Sequence, residues 1–357
     1  MAEATTDLVW REQDTTPADI EAAVRKLVNE AHAANASHVP GRVLNLVCIV
    51  DKEYSGEIAN RLRGVGRFHP SRTVVCSVSP QRDKLDAVAT IAEDADAKED
   101  EPTAGRETVI VQVGERHLAH LDRIVDPLVV SDLPTLVWSP HGHHEAVEAL
   151  TDMCQVVLLD SVDEPDLSEA LGRAKKIAES GTYVVDLAWL RSTPWRERVA
   201  ATFDPEHLRP DLKLISAVTV RHHPDSAAAA LLLLGWMAAQ LSWKVERLTH
   251  HRDGAMSGKA HTRRQDIALR AEPDTSLQVR GLAGLTLETA TGRHLELDRG
   301  PGGLRARYRN AKDTEREWTI LGASRGEAGI LGEGIRQALL RDPVYRPALT
   351  AAVKLAG

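Results

Sequence analysis

The chain of 357 residues holds only three cysteines, and no C-x-x-C spacing joins any two of them. An odd, scattered set excludes a disulfide framework and a cysteine-based zinc site. Cys48, Cys76 and Cys154 fall in or at the edge of the apolar runs LVCIV, VVCSV and CQVVLL, where a reduced thiol packs as a small hydrophobe. Such a set predicts a cytoplasmic protein. Basic stretches are also missing: 44 Lys and Arg stand against 52 Asp and Glu, for a formal net charge of −8. Nucleic-acid affinity comes from neutralising phosphates, so no nucleic-acid partner is predicted. The opening residues, MAEATTDLVWREQDTT, carry acids and no apolar core, so no signal peptide is expected. The longest apolar run, Ala227–Leu241, is shorter than the roughly 18–20 residues a spanning helix needs. It follows the helix-entry signal HHPDS and predicts a central buried helix, with no membrane partner.

Phosphate-binding signatures are missing too. No Walker A motif occurs, and no G-x-G-x-x-G follows the first strand; Gly64 and Gly66 come after a helix instead of joining strand to helix. Gly254 and Gly258 lie in a polar loop without the lysine–hydroxyl ending, and there is no G-x-S-x-G elbow. No cofactor is predicted. No general base is paired with an orienting acid, so no catalytic residue is assigned.

The remaining pattern is one of alternation. A chain this long predicts two domains, and 43% hydrophobic with 27% charged residues is ordinary for a soluble globular protein. Residues 1–40 read as an N-terminal helical extension: Thr16 as N-cap, Pro17 at the first helical position, Asp19 and Glu21 at the positive end, and Ile20, Val24, Leu27 and Val28 at helical spacing. Over 41–242, strands at Val43–Val50, Arg72–Val78, Thr108–Val113, Pro134–Trp138, Val156–Asp160, Tyr183–Leu187 and Leu214–Arg221 alternate with helices at Ser55–Val65, His117–Val130, His144–Met153, Leu167–Glu179, Trp195–Phe203 and Ala227–Leu241. The acidic stretch Glu93–Glu107 reads as a solvated loop. This predicts an α/β domain with a mostly parallel, doubly wound sheet. Over 243–357, short strand-like runs at Ile267–Ala271, Leu277–Val279, Leu285–Glu288, Leu295–Leu297, Leu304–Tyr308 and Trp318–Leu321 precede helices from Glu327 to Leu355, broken at Pro343 and Pro347. That predicts a smaller α+β domain with an antiparallel sheet.

Candidate recognition residues cluster at strand ends. In YVVDLAWLRSTPWRERVAATFD, Thr193 reads as an N-cap and Pro194 as the first helical residue, with Trp189, Arg191, Ser192, Trp195, Arg196 and Arg198 around them. Arginines in a first turn oppose the helix dipole, at about 0.3–1 kcal/mol each, which argues for an anion or a partner's carboxylate there. Arg67, His69, Ser71 and Arg72 in GRFHPSRT form a second cluster suited to a phosphate or carboxylate, or else a plain surface turn. Trp138 ends a strand, as core or as a ligand platform, and His141 follows in SPHGHHE, which lacks the further ligands of a metal site. Arg221, His222 and Asp225 sit before the apolar helix, with Asp225 or Ser226 as its cap.

The runs NLVCIVDKEYSGEIANRL, GRFHPSRT, VDPLVVSDLPTLVWSPHGH, VVLLDSVDEP, YVVDLAWLRSTPWRERVAATFD and AVTVRHHPDSAAAALLLLGW closely resemble the actinobacterial glucose-6-phosphate dehydrogenase assembly protein family, OpcA. The resemblance is dense from Val43 to about Trp243. It implies a protein without catalysis of its own that promotes assembly or activity of glucose-6-phosphate dehydrogenase, with redox control of that enzyme in photosynthetic relatives. It carries over no catalytic residues. Two readings follow: a module that docks on the dehydrogenase and shifts it toward an active oligomer or conformation, or a sugar-phosphate- or nucleotide-binding α/β enzyme or sensor using the arginine-rich strand ends. A small anionic effector tuning the docking would combine them.

Overall fold

The computed structural model describes residues 7–34, 42–66, 70–92, 106–162, 164, 166–300, 302–310, 312, 314–321 and 327–357. Arg67 and His69 lie outside these residues, as does the predicted acidic loop up to residue 105. Packing divides the chain into two units, Met1–Leu159 with Thr182–Val185, and Asp160–Gly181 with Asp186–Gly357.

The first unit contains β1 (Leu8–Thr15), α1 (Pro17–Ala34), β2 (Leu44–Asp51), α2 (Ser55–Gly66), β3 (Ser71–Val78), β4 (Leu85–Ala92), β5 (Arg106–Val113), α3 (Asp122–Val125), β6 (Thr135–Trp138), α4 (His144–Leu150) and β7 (Val156–Leu159). After α5 (Leu167–Glu179), which belongs to the second unit, β8 (Tyr183–Asp186) completes the sheet. The strand order is β1-β4-β5-β3-β2-β6-β7-β8. β2 pairs in parallel with β3 and β6, β3 with β5, and β6 with β7. The run β5-β3-β2-β6-β7-β8 is the 3-2-1-4-5-6 order of a doubly wound sheet. Leu44–Val50 is buried at every position, because a central parallel strand is covered on both faces.

Residues 8–34 are part of this unit and not an extension. β1 pairs antiparallel with β4, Trp10 opposite Ala89. α1 starts as its sequence dictates: Thr16 Oγ1 accepts from the Asp19 N–H at 3.3 Å, and Ile20, Val24 and Leu27 are buried. The helix predicted over His117–Val130 is broken into 3-10 turns at Glu115–His120 and Asp126–Leu128 flanking the single turn of α3, with Pro127 denying the ladder a donor.

The second unit contains α5, α6 (Leu187–Arg191), α7 (Thr193–Phe203), β9 (Ile215–His222), α8 (Ala227–Gln240), β10 (Lys244–Val245), β11 (Thr249–His250), β12 (Met256–His261), β13 (Asp266–Pro273), β14 (Leu282–Thr289), β15 (His294–Gly300), β16 (Gly303–Arg309), β17 (Glu315–Leu321), α9 (Glu327–Leu340) and α10 (Tyr345–Ala356). Its sheet runs β10-β12-β13-β9-β14-β15-β16-β17, with β11 paired to β12. Among the described residues, the β13–β9 pair of this sheet is parallel and the other pairs are antiparallel.

The boundary expected at residue 242 is therefore displaced. β9 and α8, predicted to close the first domain, lie at the centre of the second: Val218 sits opposite Leu269 on one side and Leu287 on the other. With those elements moved across, the second unit is the larger one. Leu277–Val279 is irregular instead of the predicted strand. The helices break at Pro343 as expected, whereas Pro347 is tolerated in the first turn of α10. α8 is apolar on every side because β9, β13, α5, α6 and α10 surround it. A Cβ on Gly235 would stand 2.3 Å from the Ala348 carbonyl oxygen of α10, so that close crossing requires glycine. Among the described residues, no helix is long and apolar enough to cross a membrane.

Candidate functional site

β8 runs straight into α6 at Asp186, whose carboxylate caps that helix by accepting from the Ala188 N–H at 2.9 Å. Ser161 supplies two more donors, its N–H at 3.2 Å and Oγ at 2.6 Å, and the Tyr345 hydroxyl a fourth at 3.2 Å. Burial raises the Asp186 pKa, while these bonds pull it down. Trp189 donates its indole N–H to Asp342 Oδ2 at 2.9 Å and lies 5.5 Å from the Tyr345 ring. Arg196 of α7 folds back over the Trp189 ring, its guanidinium carbon 3.5 Å from the centroid. Its Nε donates to Ser192 Oγ at 3.1 Å and its Nη2 to Thr193 Oγ1 at 2.8 Å, with Asp342 Oδ2 3.9 Å from Nη1. Desolvation lowers the Arg196 pKa to about 10.

This corrects the expectation of an open, indole-bearing helix entry. Trp189 and Trp195 are each 2% exposed, Ser192 is fully buried, and Arg196 is 9% exposed. Thr193 is the first residue of α7 and not its N-cap; Ser192 holds the cap position and makes no side-chain cap bond. The N–H groups of Trp195 and Arg196 already bond the Ser192 carbonyl at 3.0 Å each, so those donors cannot hold an anion. Arg191 bonds Asp160 Oδ2 at 2.6 Å. The anchoring acids, Asp160, Asp186 and Asp342, were not singled out in the sequence. Asp186 carried a local signal, a small acid between an apolar strand and LAWLR; Asp342, 153 positions from Trp189, carried none.

At the carboxyl end of the first sheet, Asp51 closes β2 beside the end of β6. Trp138 is 4% exposed and packs in the core, so it is not a ligand platform. His141 Nδ1 accepts from the Asp51 backbone N–H at 3.1 Å, which leaves the proton of a neutral ring on Nε2, and the ring lies 4.7 Å from Tyr54. His143 adopts a left-handed backbone (φ 39°) and sets its Nε2 2.9 Å from Asp51 Oδ1. This is the topological switch point, where open α/β sheets bind ligands. Here β2 continues into a 3-10 turn, Lys52–Tyr54, in place of a glycine loop, and Asp51, Glu53 and Glu57 gather acids where a pyrophosphate needs donors. Among the described residues, no group of three His, Cys, Asp or Glu could hold a metal.

The other candidates are engaged internally. Arg72 Nε donates to Glu107 Oε2 at 2.7 Å and Arg42 Nε to Oε1 at 2.6 Å, enclosing a carboxylate that is 2% exposed, so Arg72 anchors a buried acid and is not an open anion fork. Ser71 Oγ lies 3.3 Å from Thr73 Oγ1. Arg221 bonds Asp274 at 3.3 Å and also Asp298, across the space that Gly284 leaves open. His222 is buried, its Nδ1 2.8 Å from the His223 carbonyl, and desolvation lowers its pKa. Asp225 is exposed and caps nothing; Ser226 occupies the cap position of α8, but its hydroxyl accepts from the Gly281 N–H at 2.8 Å. Within the second unit, Trp189, Ser192, Thr193 and Arg196 thus come together, and Arg221, His222 and Asp225 are not among their bonded partners. Arg198, half-buried, lines a separate cavity.

A family model described as the glucose-6-phosphate dehydrogenase subunit N-terminal domain matches residues 63–176, and one described as the C-terminal domain of that subunit matches 182–349. A relative in Nostoc punctiforme, named as an OxPP cycle protein OpcA, is 31% identical over 132 residues, 35% of this chain and 28% of that protein. A relative of the same name in Synechococcus elongatus is 27% identical over 141 residues, 39% of this chain and 32% of its own length. The match spans less than a third of each of these relatives. Among solved structures, the oxidoreductase yvaA of Bacillus subtilis aligns over 88% of this chain and 94% of its own, at 11% identity and a TM-score of 0.48, too distant to transfer any chemistry.

Proposed function

The chain belongs to the glucose-6-phosphate dehydrogenase assembly protein family, OpcA, and from that premise we propose a non-catalytic accessory protein. It binds glucose-6-phosphate dehydrogenase in the cytoplasm and favours that enzyme's active oligomer or conformation, at the entry of the oxidative pentose phosphate pathway. The observation that carries the non-catalytic part is the crevice at the β2–β6 switch point. A dinucleotide there needs free backbone donors at a helix start, and this crevice instead holds Asp51 paired with His143 and bonded to His141, with Glu53 and Glu57 close in sequence. The two matched family domains support the choice of partner. An activator of this kind works by binding one state of the dehydrogenase more tightly than the other; a tenfold preference corresponds to about 1.4 kcal/mol.

The test is to measure dehydrogenase turnover and sedimentation with and without this chain. Activity and the population of one oligomer should rise together until the chain saturates its partner. No change in either readout sinks the reading. Nicotinamide-cofactor binding by the chain alone, followed by fluorescence, should be absent; tight binding would favour the alternative of a nucleotide- or sugar-phosphate-binding enzyme or sensor.

A further inference from the structure

Within the second unit, α7, the loop after it, the β14–β15 turn and the β16–β17 hairpin enclose a cavity of about 490 Å³. Arg198, Arg293, Arg316, Tyr308 and Trp318 line it. β16 and β17 place Tyr308 opposite Arg316 and Ala306 opposite Trp318, so Tyr308 and Arg316 are cross-strand neighbours. Three of the buried polar atoms that have no hydrogen-bond partner belong to these lining residues: Arg198 Nε, Arg293 Nε and the Tyr308 hydroxyl. A folded chain rarely leaves buried donors unmet, because each then loses its hydration without replacement. Three such donors on the side chains around one cavity come within reach of a ligand there through small rotations of those side chains.

The charge has one sign. Arg293 is compensated by the buried Asp211. Arg198 and Arg316 have no carboxylate within ion-pair distance among the described residues, and His207 adds a further basic group to the lining. A second basic cavity, about 380 Å³ and lined by Arg209, Arg263 and Arg264, holds none of the unpaired buried atoms. The first cavity is therefore the built one.

We propose that this cavity binds a small phosphate monoester, its phosphoryl group held by Arg198, Arg293 and Arg316 and its carbon body lying against Trp318. One planar carboxylate is satisfied by a single guanidinium fork. Guanidinium groups delivered by three separate elements suit a tetrahedral dianion with three acceptor oxygens. The volume leaves room beyond the phosphoryl group for a sugar-sized body. This site goes beyond the docking reading and is measured on the chain alone, so either can fail without the other.

The experiment titrates the full chain with glucose 6-phosphate, inorganic phosphate, citrate and uncharged glucose, by calorimetry and by the shift in melting temperature. Glucose 6-phosphate should bind and raise the melting temperature, inorganic phosphate should bind more weakly, and glucose should do neither. The double variant Arg198→Gln/Arg316→Gln should lose at least about tenfold in affinity, as expected for removing charge-assisted bonds. Tyr308→Phe guards against a folding artefact: it should melt no lower than wild type without ligand, since it removes an unmet hydroxyl, yet gain less from glucose 6-phosphate. Failure of both phosphates to bind overturns the proposal. So do affinities unchanged in the double variant, citrate binding as tightly as the ester, or a Tyr308→Phe protein that melts lower but binds equally well.

Discussion

Arg196 and Trp189 lock together through a shared acid: the guanidinium carbon stands 3.5 Å from the centre of the indole ring, and Asp342 takes the indole N–H at 2.9 Å while lying 3.9 Å from the guanidinium. The relationship reverses the electrostatic reading of α7. An arginine in the first turn of a helix costs stability when it faces water, but here it is withdrawn over a ring face and toward a carboxylate carried by a remote part of the chain.

Arg196→Ala should therefore act as a folding mutation and not as a probe of recognition. Removing one member of a buried charged cluster leaves Asp342 undercompensated and the indole face uncovered, at a cost of about 2–4 kcal/mol. Arg196→Lys should recover only part of the loss, because an ammonium lacks the planar fork that reaches Ser192 and Thr193 together. Urea denaturation reads both; an unchanged midpoint for Arg196→Ala would mean the cluster contributes nothing.

Gly235→Val should lower the melting temperature sharply. The added carbon meets the Ala348 carbonyl at 2.3 Å and the Ala352 nitrogen at 2.9 Å, both backbone atoms of α10 that no rotamer change can move aside. Overpacking of this kind costs about 1–3 kcal/mol or more, and calorimetry on the purified variant measures it.

The three thiols should resist modification in the native protein. All are buried, and desolvation pushes Cys76 and Cys154 up to about 12 and raises Cys48 as well, so little thiolate exists near neutral pH. A chromogenic disulfide reagent at pH 8 should react with them far more slowly than in denaturant. Rapid stoichiometric labelling of the native chain would reopen a redox role.

Stability should fall on acidification in a way that His222 controls. Burial holds its folded pKa below the ordinary 6.5, so the unfolded chain binds the proton first. The contribution of His222 is fully present above the unfolded pKa and is lost as pH falls from there through the lower, folded value. His222→Phe should flatten this part of the stability profile, measured as the difference in unfolding free energy between wild type and variant from pH 7 to pH 5. Parallel profiles would show that His222 takes up its proton equally easily in both states.

Much of the first sheet was legible because its central strands are uninterrupted apolar runs. Leu44–Asp51 is buried along its length and announces itself. β4 escaped notice because it is buried on one face only, and its inward positions Leu85, Ala87, Ala89 and Ile91 include two alanines that give a weak hydrophobic signal. β1 is fainter still, an edge strand reading LVWREQDT with mostly exposed side chains. In the 183–204 stretch, Ser192, Thr193 and Arg196 fall within one helix turn, so their proximity needs only local helix geometry. Whether they faced solvent was not legible, because that depends on what covers them.

Local pattern by itself determined the central strands of the first sheet, most of the longer helices and the burial of the thiols, since each follows from side-chain periodicity or from residues adjacent in the chain. Tertiary structure alone decided that β9 joins β13 and β14 in the second sheet, that Arg196 turns inward, and that Arg198, Tyr308 and Arg316 line one cavity. Strand pairing and the neutralisation of a buried charge are set by partners far away in sequence, as Asp342 is from Trp189, and no window of local sequence contains both.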